Sequence, residues 1–595
     1  MYRKERGIFK SKSPRKDLNP FKAENRVFGG KKNMGESKPG LFAREATGLV
    51  REVGFMLGVI VILTHVIGLG WQKRAFQFTG PRPLPTDMLP LGLPAMFWAF
   101  VFGGLVVIIT GYIVGYVTAA MPRSGGGYVT ISRVLHPFVG YNAGWLMFLA
   151  EAFSYGLIGV AVFEAIGIFY SIALAPTAVA FDATAIFLGG IAVIWIFVFL
   201  SLFGVRLYGR LLEAMFIIPA VITVAFFAMW ISGAINPSVV VTGVQDVMGV
   251  SPDTIVTLAA NSGMTANIST FFDAFTYALP GAFWAYMGWY ATTFIAGEVK
   301  EANKKLPMVV LSAGVIIILV YLAASSISAI ATLNVATRTI GGHQWSFFQA
   351  YSWLSYPASA ASDAVKAATA TIPNFQPAWS TGIASIIARG MNLGWLSWLI
   401  ALAGVFWLAN DIPPFLLVAS RTFFAMSFDR MLPESFAYVS EKWHSPIYSI
   451  IVTGVAAMLG AVAESGVFGL GTYFAFAGVI GTDIFDAAFL TLFCVSAMLL
   501  PLERKEIYER AAVKHSVGTV VLLGALGTLG SGFCLWVFMK ESTFFLFPTD
   551  TASLWGGLGF FLCIGIGIAL YVYHMYRNTT KGVDMRTLYI SIPPE

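Results

Sequence analysis

Two glycines interrupt an otherwise apolar stretch near its middle, in the run Val66-Ile67-Gly68-Leu69-Gly70-Trp71. Glycine destabilises a helix interior, and a broken helix at membrane depth is tolerated only where it lines a cavity inside the protein. The N-terminus of the second half-helix then presents bare N–H groups and the positive end of its dipole. The run therefore predicts a backbone site for an anionic group, with ordinary helix packing as the alternative for these two glycines alone.

A second long apolar stretch repeats this device, in Leu279-Pro280-Gly281 followed by Tyr286-Met287-Gly288-Trp289. Glycine and proline breaks at matching positions of two halves of a membrane protein point to a binding site at the bilayer midplane. Together, the two interruptions favour such a site over packing.

Several acids and one histidine lie within predicted membrane spans, where an ionisable group is a functional hypothesis by default. His65 stands one turn before the first break and could titrate near neutral pH. A neutral or paired structural role is the simpler interpretation of each group alone, but we expect one of the set to carry protons: His65, Glu151, Glu164, Asp411, Asp483 and Asp486.

Metal, redox and enzymatic chemistry find no matching pattern. Cys494, Cys534 and Cys563 all fall inside apolar stretches without metal-ligand spacing, and the six histidines form neither HExxH nor a haem pair. We therefore expect no metal, no cofactor and no catalytic residues, so the chain is not predicted to be an enzyme.

The elements that must position these residues are long apolar helices. Only 12% of the 595 residues are charged and 57% are hydrophobic, whereas soluble domains average about 25% charged. The sequence predicts an all-α polytopic membrane protein of about twelve transmembrane helices, near 53–78, 95–120, 138–172, 184–204, 213–233, 273–297, 308–332, 393–420, 446–463, 471–500, 517–539 and 554–576.

Basic residues set the predicted orientation. With the N-terminus inside, the cytoplasmic segments carry 31 of the 38 Lys and Arg and the external segments carry 7. Because basic residues resist translocation, we predict an integral protein of the cytoplasmic membrane with both termini inside. Residues 1–51 hold 14 of the basic residues, so the positive charge belongs to a tail and gives no reason to expect a nucleic-acid partner.

The predicted organisation has four parts. Residues 1–50 form a basic cytoplasmic tail whose polar composition predicts disorder, residues 51–500 a core of ten helices, residues 501–576 helices 11 and 12, and residues 577–595 a cytoplasmic C-terminal tail. The external insertions 234–272 and 333–392 are interpreted as partial lids or as spacers. The lipid bilayer is the expected partner, and a homo-oligomer stays open.

Four blocks in order resemble the amino acid–polyamine–organocation permeases, over roughly residues 44–595. They are Arg51-Glu52 with Gly68-Leu69-Gly70; Met121-Pro122-Arg123-Ser124-Gly125-Gly126-Gly127-Tyr128 with Gly140-Tyr141-Asn142-Ala143-Gly144-Trp145; Trp284-Ala285-Tyr286-Met287-Gly288-Trp289 with Ala296-Gly297-Glu298-Val299-Lys300; and Ser420-Arg421-Thr422-Phe423-Phe424-Ala425-Met426 with Asp429-Arg430-Met431-Leu432-Pro433. The resemblance implies a five-plus-five inverted repeat with discontinuous helices 1 and 6, and two appended helices.

The resemblance also implies a function and a site. The chain is expected to be a secondary active transporter that moves amino acids or related amines by alternating access, through proton-coupled symport or exchange. Backbone N–H groups near Gly68 would bind a substrate carboxylate, carbonyl groups near Val66 and Trp284 its ammonium, and Trp284 would be an aromatic gate or a packed core side chain. The implied substrate-binding residues are Val66, Ile67, Gly68, Leu69, Gly70, Trp284, Ala285, Tyr286, Met287 and Gly288.

The chain departs from this pattern just after the first break, at Gln72-Lys73-Arg74. Related sodium-coupled symporters place an arginine at the position of Arg74 and close an external gate with a tenth-helix acid. This implies an Arg74–Asp483 or Arg74–Asp486 gate, with interfacial snorkelling of Lys73 and Arg74 as the alternative.

Coupling shows two further departures. Pro219 replaces the fifth-helix lysine of some proton-coupled relatives, and Trp71 replaces a polar sodium ligand.

Other classes fit the sequence less well. A carrier of a purine or an ion on the same fold, and a non-transporting permease-like sensor, are the alternatives that remain. A redox subunit would need paired haem or cysteine ligands, and a channel would show pore-lining charge rings or a carbonyl filter.

Overall fold

A computed structural model describes residues 40–594 except 180, 358–360, 545–547 and 549. It contains the following helices: α1 (Phe55–Val66), α2 (Ala75–Gln77), α3 (Ala95–Ala120), α4 (Gly126–Val134), α5 (Pro137–Ala173), α6 (Ala183–Ser201), α7 (Val205–Ile235), α8 (Pro237–Met248), α9 (Pro252–Asn261), α10 (Phe271–Tyr286), α11 (Ala302–Leu333), α12 (Phe347–Ser355), α13 (Ser362–Thr369), α14 (Ser380–Gly390), α15 (Gly394–Phe428), α16 (Ile447–Ser465), α17 (Val479–Glu503), α18 (Lys505–Arg510), α19 (Val517–Glu541), α20 (Thr551–Thr580) and α21 (Met585–Ile590). Strands β1 (Arg338–Ile340) and β2 (His343–Trp345) form one antiparallel hairpin.

The protein is an all-α polytopic membrane protein, as predicted. Eleven helical segments of the described chain are long and apolar enough to cross a bilayer, counting the interrupted segment Phe55–Gln77 as one. The sixth predicted span, over 273–297, is interrupted near Met287-Gly288 as expected: α10 ends at Tyr286 after 16 residues and the chain continues in short 3₁₀ turns. The crossing expected over 471–500 starts later, since 3₁₀ and other turns precede α17 at Val479.

Polar residues fix where several helices start. The Asp182 side chain accepts a hydrogen bond from the Ala185 N–H at 2.7 Å and begins α6, and Ser516 caps α19 in the same way through the Thr519 N–H. Such caps satisfy backbone N–H groups that a helix end leaves unpaired. They explain why the predicted starts of these spans are close to the observed ones.

Both interruptions predicted from sequence are present. Helix α1 ends at Val66, and the chain resumes as one π-helical turn, Gly70–Arg74, which leads into α2. Helix α10 ends at Tyr286, where Met287 turns to an extended conformation and Gly288 takes a φ of 91°. We name these segments, residues 67–69 and 287–290, the first and second breaks.

The prediction that residues 279–281 contribute to the second interruption is wrong. Leu279-Pro280-Gly281 lies inside α10, which passes through Pro280 without ending. Gly281 serves packing there, since a Cβ at this position would lie 2.5 Å from the Phe78 ring. Neighbouring structure can accommodate a proline within a membrane helix, so Pro280 alone does not break the helix.

The two external insertions contain structure of their own. The first forms α8 and α9, and the second forms the hairpin and α12 to α14. Helix α14 reaches the first break, because the Ser380 hydroxyl donates to the Trp71 carbonyl at 2.9 Å and the Thr381 hydroxyl to the Gln72 side chain at 2.6 Å. The second insertion therefore covers one side of the broken helix.

The predicted tails are described only in part. Residues 1–39 of the basic tail lie outside the described residues, whereas the Ala43 N–H donates to the Phe428 carbonyl at 3.0 Å. Beyond α20, Arg504 and Arg123 donate to the carbonyls of Ile590 and Pro593 at 2.9 and 2.6 Å. The described end of the chain therefore packs against Arg123 and Arg504.

Candidate functional site

The first break exposes the backbone N–H of Leu69, and a side chain of the protein occupies it. Asp411, in the middle of α15, accepts this N–H through Oδ2 at 3.3 Å. Gly68 makes the approach possible, because a Cβ there would lie 2.2 Å from Asp411 Oδ2. The Leu69 N–H, one of the backbone groups expected to bind an anion, thus has a carboxylate of this chain as its partner.

The residues that flank the two breaks, Gly70 and Ala285, lie against each other. A Cβ on Gly70 would lie 2.3 Å from the Ala285 Cβ, so the first broken segment contacts the last turn of α10 without space for another atom. Only glycine permits that contact. The two interrupted segments are therefore in contact in the interior of the protein.

A tyrosine that sequence reasoning missed joins the carbonyl groups of both segments. The Tyr321 hydroxyl, from α11, lies within hydrogen-bond distance of the Val66 carbonyl and 2.7 Å from the Ala285 carbonyl. These are among the carbonyl groups implied to accept a substrate ammonium. Tyr321 stands alone in an apolar helix, and no spacing pattern distinguishes it from a core tyrosine.

The carbonyl of Gly68 also has a side-chain partner. Gln72 donates to it through Nε2 at 3.0 Å, one turn further along the chain. Thr381 of the second insertion holds the other end of this amide. Gln72, noted from sequence only as a departure from the related permeases, thus satisfies a backbone group that the break leaves unpaired.

Trp284 packs over the breaks with both polar and aromatic contacts. Its indole N–H donates to the Ser154 hydroxyl at 3.3 Å, and its ring stacks on Phe415 with centroids 6.4 Å apart. The Arg74 guanidinium lies 4.7 Å from the same ring centroid, a cation–π distance. The contacts fit both interpretations of Trp284, the aromatic gate and the packed side chain.

His65 and Glu151 form a buried pair beside the second break. Nε2 of His65 lies 3.2 Å from Oε2 of Glu151, and neither side chain has any exposed surface. Gly288 presses on the imidazole, since a Cβ at that position would lie 2.3 Å from the ring. The pair therefore links α1, α5 and the second break in a water-excluded place where a proton could be exchanged.

Arg74 has a different partner from the one expected. Its guanidinium contacts Glu464 near the end of α16 at 3.2 Å and donates to Gln77 at 2.5 Å. The predicted pairs with Asp483 and Asp486 are not formed, because both carboxylates lie on α17 beyond ion-pair distance of Arg74. Asp486 accepts the Tyr290 hydroxyl instead.

Lys73 extends this contact into a network of four charges. Its ammonium lies 2.6 Å from Glu164 of α5 and 2.7 Å from Glu464. Lys73 and Arg74 are buried, so they do not snorkel to the interface as the alternative held. We name Lys73, Arg74, Glu164 and Glu464 the outer ion network.

Sequence reasoning missed Glu464 for a simple reason. The predicted ninth span ended at residue 463, which left this acid in a loop, whereas α16 continues to Ser465. An outer cavity of about 560 Å³ has Glu164 in its wall, together with Asn374 and Gln376. The network thus stands between this cavity and the breaks.

Comparison with known proteins assigns a family to this arrangement. A profile of the family described as "Amino acid permease" matches residues 59–569, which include both breaks and every residue of the outer ion network. The serine/threonine exchanger SteT of Bacillus subtilis (strain 168) is 20% identical over 284 residues, which is 47% of this chain and 54% of that protein. The chain thus spans about half the length of this relative.

Proposed function

Because the chain belongs to the amino acid permease family, we propose that it carries amino acids or related amines across the cytoplasmic membrane by alternating access. The contact between the two broken segments, with Tyr321 against a carbonyl of each, is the observation that supports this most strongly. Irregular backbone at membrane depth is stable only where it lines a site inside the protein. The description of the family, amino acid permease, also favours a transporter over an enzyme.

In this proposal the substrate binds between the breaks. Its polar groups contact the backbone of Val66, Ile67, Gly68, Leu69 and Gly70 on one side and of Trp284, Ala285, Tyr286, Met287 and Gly288 on the other. The external gate is the outer ion network rather than the expected Arg74–Asp483 or Arg74–Asp486 pair. Arg74 joins gate and site, since it contacts both Glu464 and the Trp284 ring.

We place the coupling proton at His65 and Glu151. Among the expected proton carriers, Glu164 is held by Lys73 and Asp411 by Leu69. The His65–Glu151 pair contacts the second break through Gly288, so a change at that break moves the imidazole. Protonation of such a buried pair is sensitive to its surroundings, which supports proton-coupled transport.

Uptake by purified protein in liposomes tests the function. We expect accumulation of at least one of a labelled panel of common amino acids and amines, driven by an inside-alkaline pH gradient and reduced by Glu151→Gln. Exposed Glu441→Gln is the control and should not change uptake. No uptake above protein-free liposomes, both without and with preloaded unlabelled substrate, would refute the proposal.

Symport and exchange give different results in the same liposomes. The relative is named an exchanger, which makes exchange the alternative to symport. Preloading the proteoliposomes with unlabelled substrate stimulates uptake by an obligatory exchanger. A symporter accumulates substrate under the pH gradient alone, in proteoliposomes that contain no internal substrate. Indifference of uptake to both pH and Glu151→Gln would remove proton coupling but keep the transport proposal.

A further inference from the structure

Asp411 occupies the place that a substrate carboxylate would need. It is 2% exposed, its Oδ2 accepts the Leu69 N–H at 3.3 Å, and Gly68 lies directly against the carboxylate. A helix start that already binds one anion has little to offer a second one, because a second carboxylate beside Asp411 is repelled by it.

The second oxygen of this carboxylate, Oδ1, is buried and has no hydrogen-bond partner in the described part of the chain. Buried carboxylates are normally paired with a cation or fully hydrogen-bonded. This unpaired oxygen belongs to a carboxylate that contacts the first break, so a hydrogen-bond donor bound beside the breaks would satisfy it.

The charged side chains around the breaks do not donate a hydrogen bond to Asp411 Oδ1. Arg74 is bound to Glu464 and Gln77, Lys73 to Glu164 and Glu464, and His65 faces Glu151. Two further buried acids, Asp483 and Asp486, come from α17. The interior beside the breaks therefore has more acidic than basic side chains.

Other acceptors for a donor lie at the same place. The carbonyl oxygens of Val66 and Ala285 are both oriented towards one hydroxyl, that of Tyr321. An ammonium group has three N–H donors and could bind the carboxylate and such carbonyl oxygens at once. Tyr321 contacts both carbonyl groups, and the Val66 carbonyl also accepts the Gly68 N–H at 2.9 Å, so an ammonium would take the place of the Tyr321 hydroxyl there. The Leu69 N–H is already bound to Asp411.

We propose that the substrate is a small organic cation with a primary ammonium group and a net charge of at least +1, and that Asp411 is its counter-ion. The inference rests on the proposed function and narrows its substrate class. A diamine fits, and so does a dibasic amino acid whose side chain ends in a primary ammonium far from its carboxylate. A neutral zwitterion, whose ammonium and carboxylate are neighbours, would bring its carboxylate against Asp411. Asp411 is then a specificity-determining residue.

Liposome uptake with probes of defined charge tests this inference. Labelled putrescine and L-lysine are compared with labelled L-serine and L-alanine at equal concentration. We expect the cations to be taken up faster, and Asp411→Asn to reduce their uptake by about tenfold or more, as for loss of one partner of a buried charge pair, while L-serine uptake is unchanged or increased. Asp246→Asn, which removes a half-exposed carboxylate paired with Arg389 outside the breaks, is the matched control and should leave the ratio unchanged.

Each outcome decides. L-serine uptake that cations do not inhibit would overturn the inference and leave the proposed function standing, and so would an equal loss of both probe classes in folded Asp411→Asn protein, which indicates a structural role. Transport of no probe would overturn both. If the variant elutes aggregated from size exclusion, the wild-type panel and its cross-inhibition alone decide the charge preference.

Discussion

Glycine at position 70 is a spatial requirement, because the Ala285 Cβ occupies the place where a side chain would begin. Gly70→Ala must push the turn at residue 70 away from α10. Overpacking of this kind lowers the free energy of the packed arrangement's stability by about 1–3 kcal/mol. We expect substrate affinity to fall by about tenfold, since about 1.4 kcal/mol corresponds to a factor of ten. Concentration-dependent uptake in liposomes measures this change.

The matched control for this substitution is Gly565→Ala. Gly565 is exposed on α20 and has no atom within 4 Å of the position that its Cβ would take. Equal affinity of Gly70→Ala and Gly565→Ala proteins would mean that the breaks do not hold the substrate.

Tyr321 makes a prediction about stability. Tyr321→Phe removes the donor that the Val66 and Ala285 carbonyl groups share. We expect the free energy of unfolding to fall by about 1 kcal/mol, the usual scale for a buried hydrogen bond inside a membrane protein. Thermal unfolding in detergent measures it, with Tyr448→Phe as the control because Tyr448 is 47% exposed. An unchanged melting temperature for Tyr321→Phe would argue against this hydrogen bond.

Local residue patterns predicted the two breaks but not the groups that satisfy them. Closely spaced glycines indicate a place where other groups pack directly against the backbone, so the first break could be predicted from Gly68 and Gly70. Asp411 and Tyr321 come from α15 and α11, far along the chain, and only the fold brings them to the breaks. Side chains that meet through tertiary packing leave no spacing signal.

At the scale of elements, the ends of helices limited the prediction. A ninth span predicted to end at residue 463 leaves Glu464 out of the intramembrane acids, and the gate to Asp483 or Asp486 is implied only by the resemblance to related symporters. Pro280 illustrates the opposite error, because a proline was taken as a break although α10 continues through it. Positions within helices were predicted well, and ends and partners less so.

The outer ion network supports a prediction about how α16 and the first span close the external side. Glu464→Gln removes the acid that Lys73 and Arg74 share, so we expect the closed arrangement to lose population. The reporter is a single cysteine at Ser154, which contacts Trp284 beneath the network, in a protein whose three native cysteines are replaced. Labelling from outside by a membrane-impermeant thiol reagent should become about tenfold faster.

The control for this experiment uses the acid expected earlier. Asp483→Asn should leave the labelling rate unchanged, since Asp483 lies beyond ion-pair distance of Arg74. Faster labelling in Asp483→Asn but not in Glu464→Gln would restore the gate implied by the resemblance and reject the outer ion network.

For the whole molecule, hydropathy and charge gave the class and the approximate course of the chain. Apolar length is a property of the sequence itself, so eleven crossings could be recognised without a structure. The sixth is different because α10 spans only 16 residues. The external insertions were described as lids or spacers, and α14 shows why sequence could not decide, since its contacts with Trp71 and Gln72 come from folding.

Ion pairs stand on both sides of the breaks in this structure. The outer ion network lies on one side, and on the other Arg421 of α15 pairs with Glu298 at 2.9 Å and Arg133 with Asp429 at 2.5 Å. Buried pairs of this kind specify arrangement more than they add stability. In the alternating access that we propose, each set would open in turn around the same pair of breaks.

Hydrogen–deuterium exchange of the protein in nanodiscs, with and without a saturating mixture of L-serine, L-arginine and putrescine, tests the central claim most directly. The claim is that substrate binds to backbone between the two breaks. We predict slower exchange in peptides that cover residues 66–71 and 285–290. Unchanged exchange in both peptides, with protection instead around the outer cavity at Glu164 and Asn374, would contradict it.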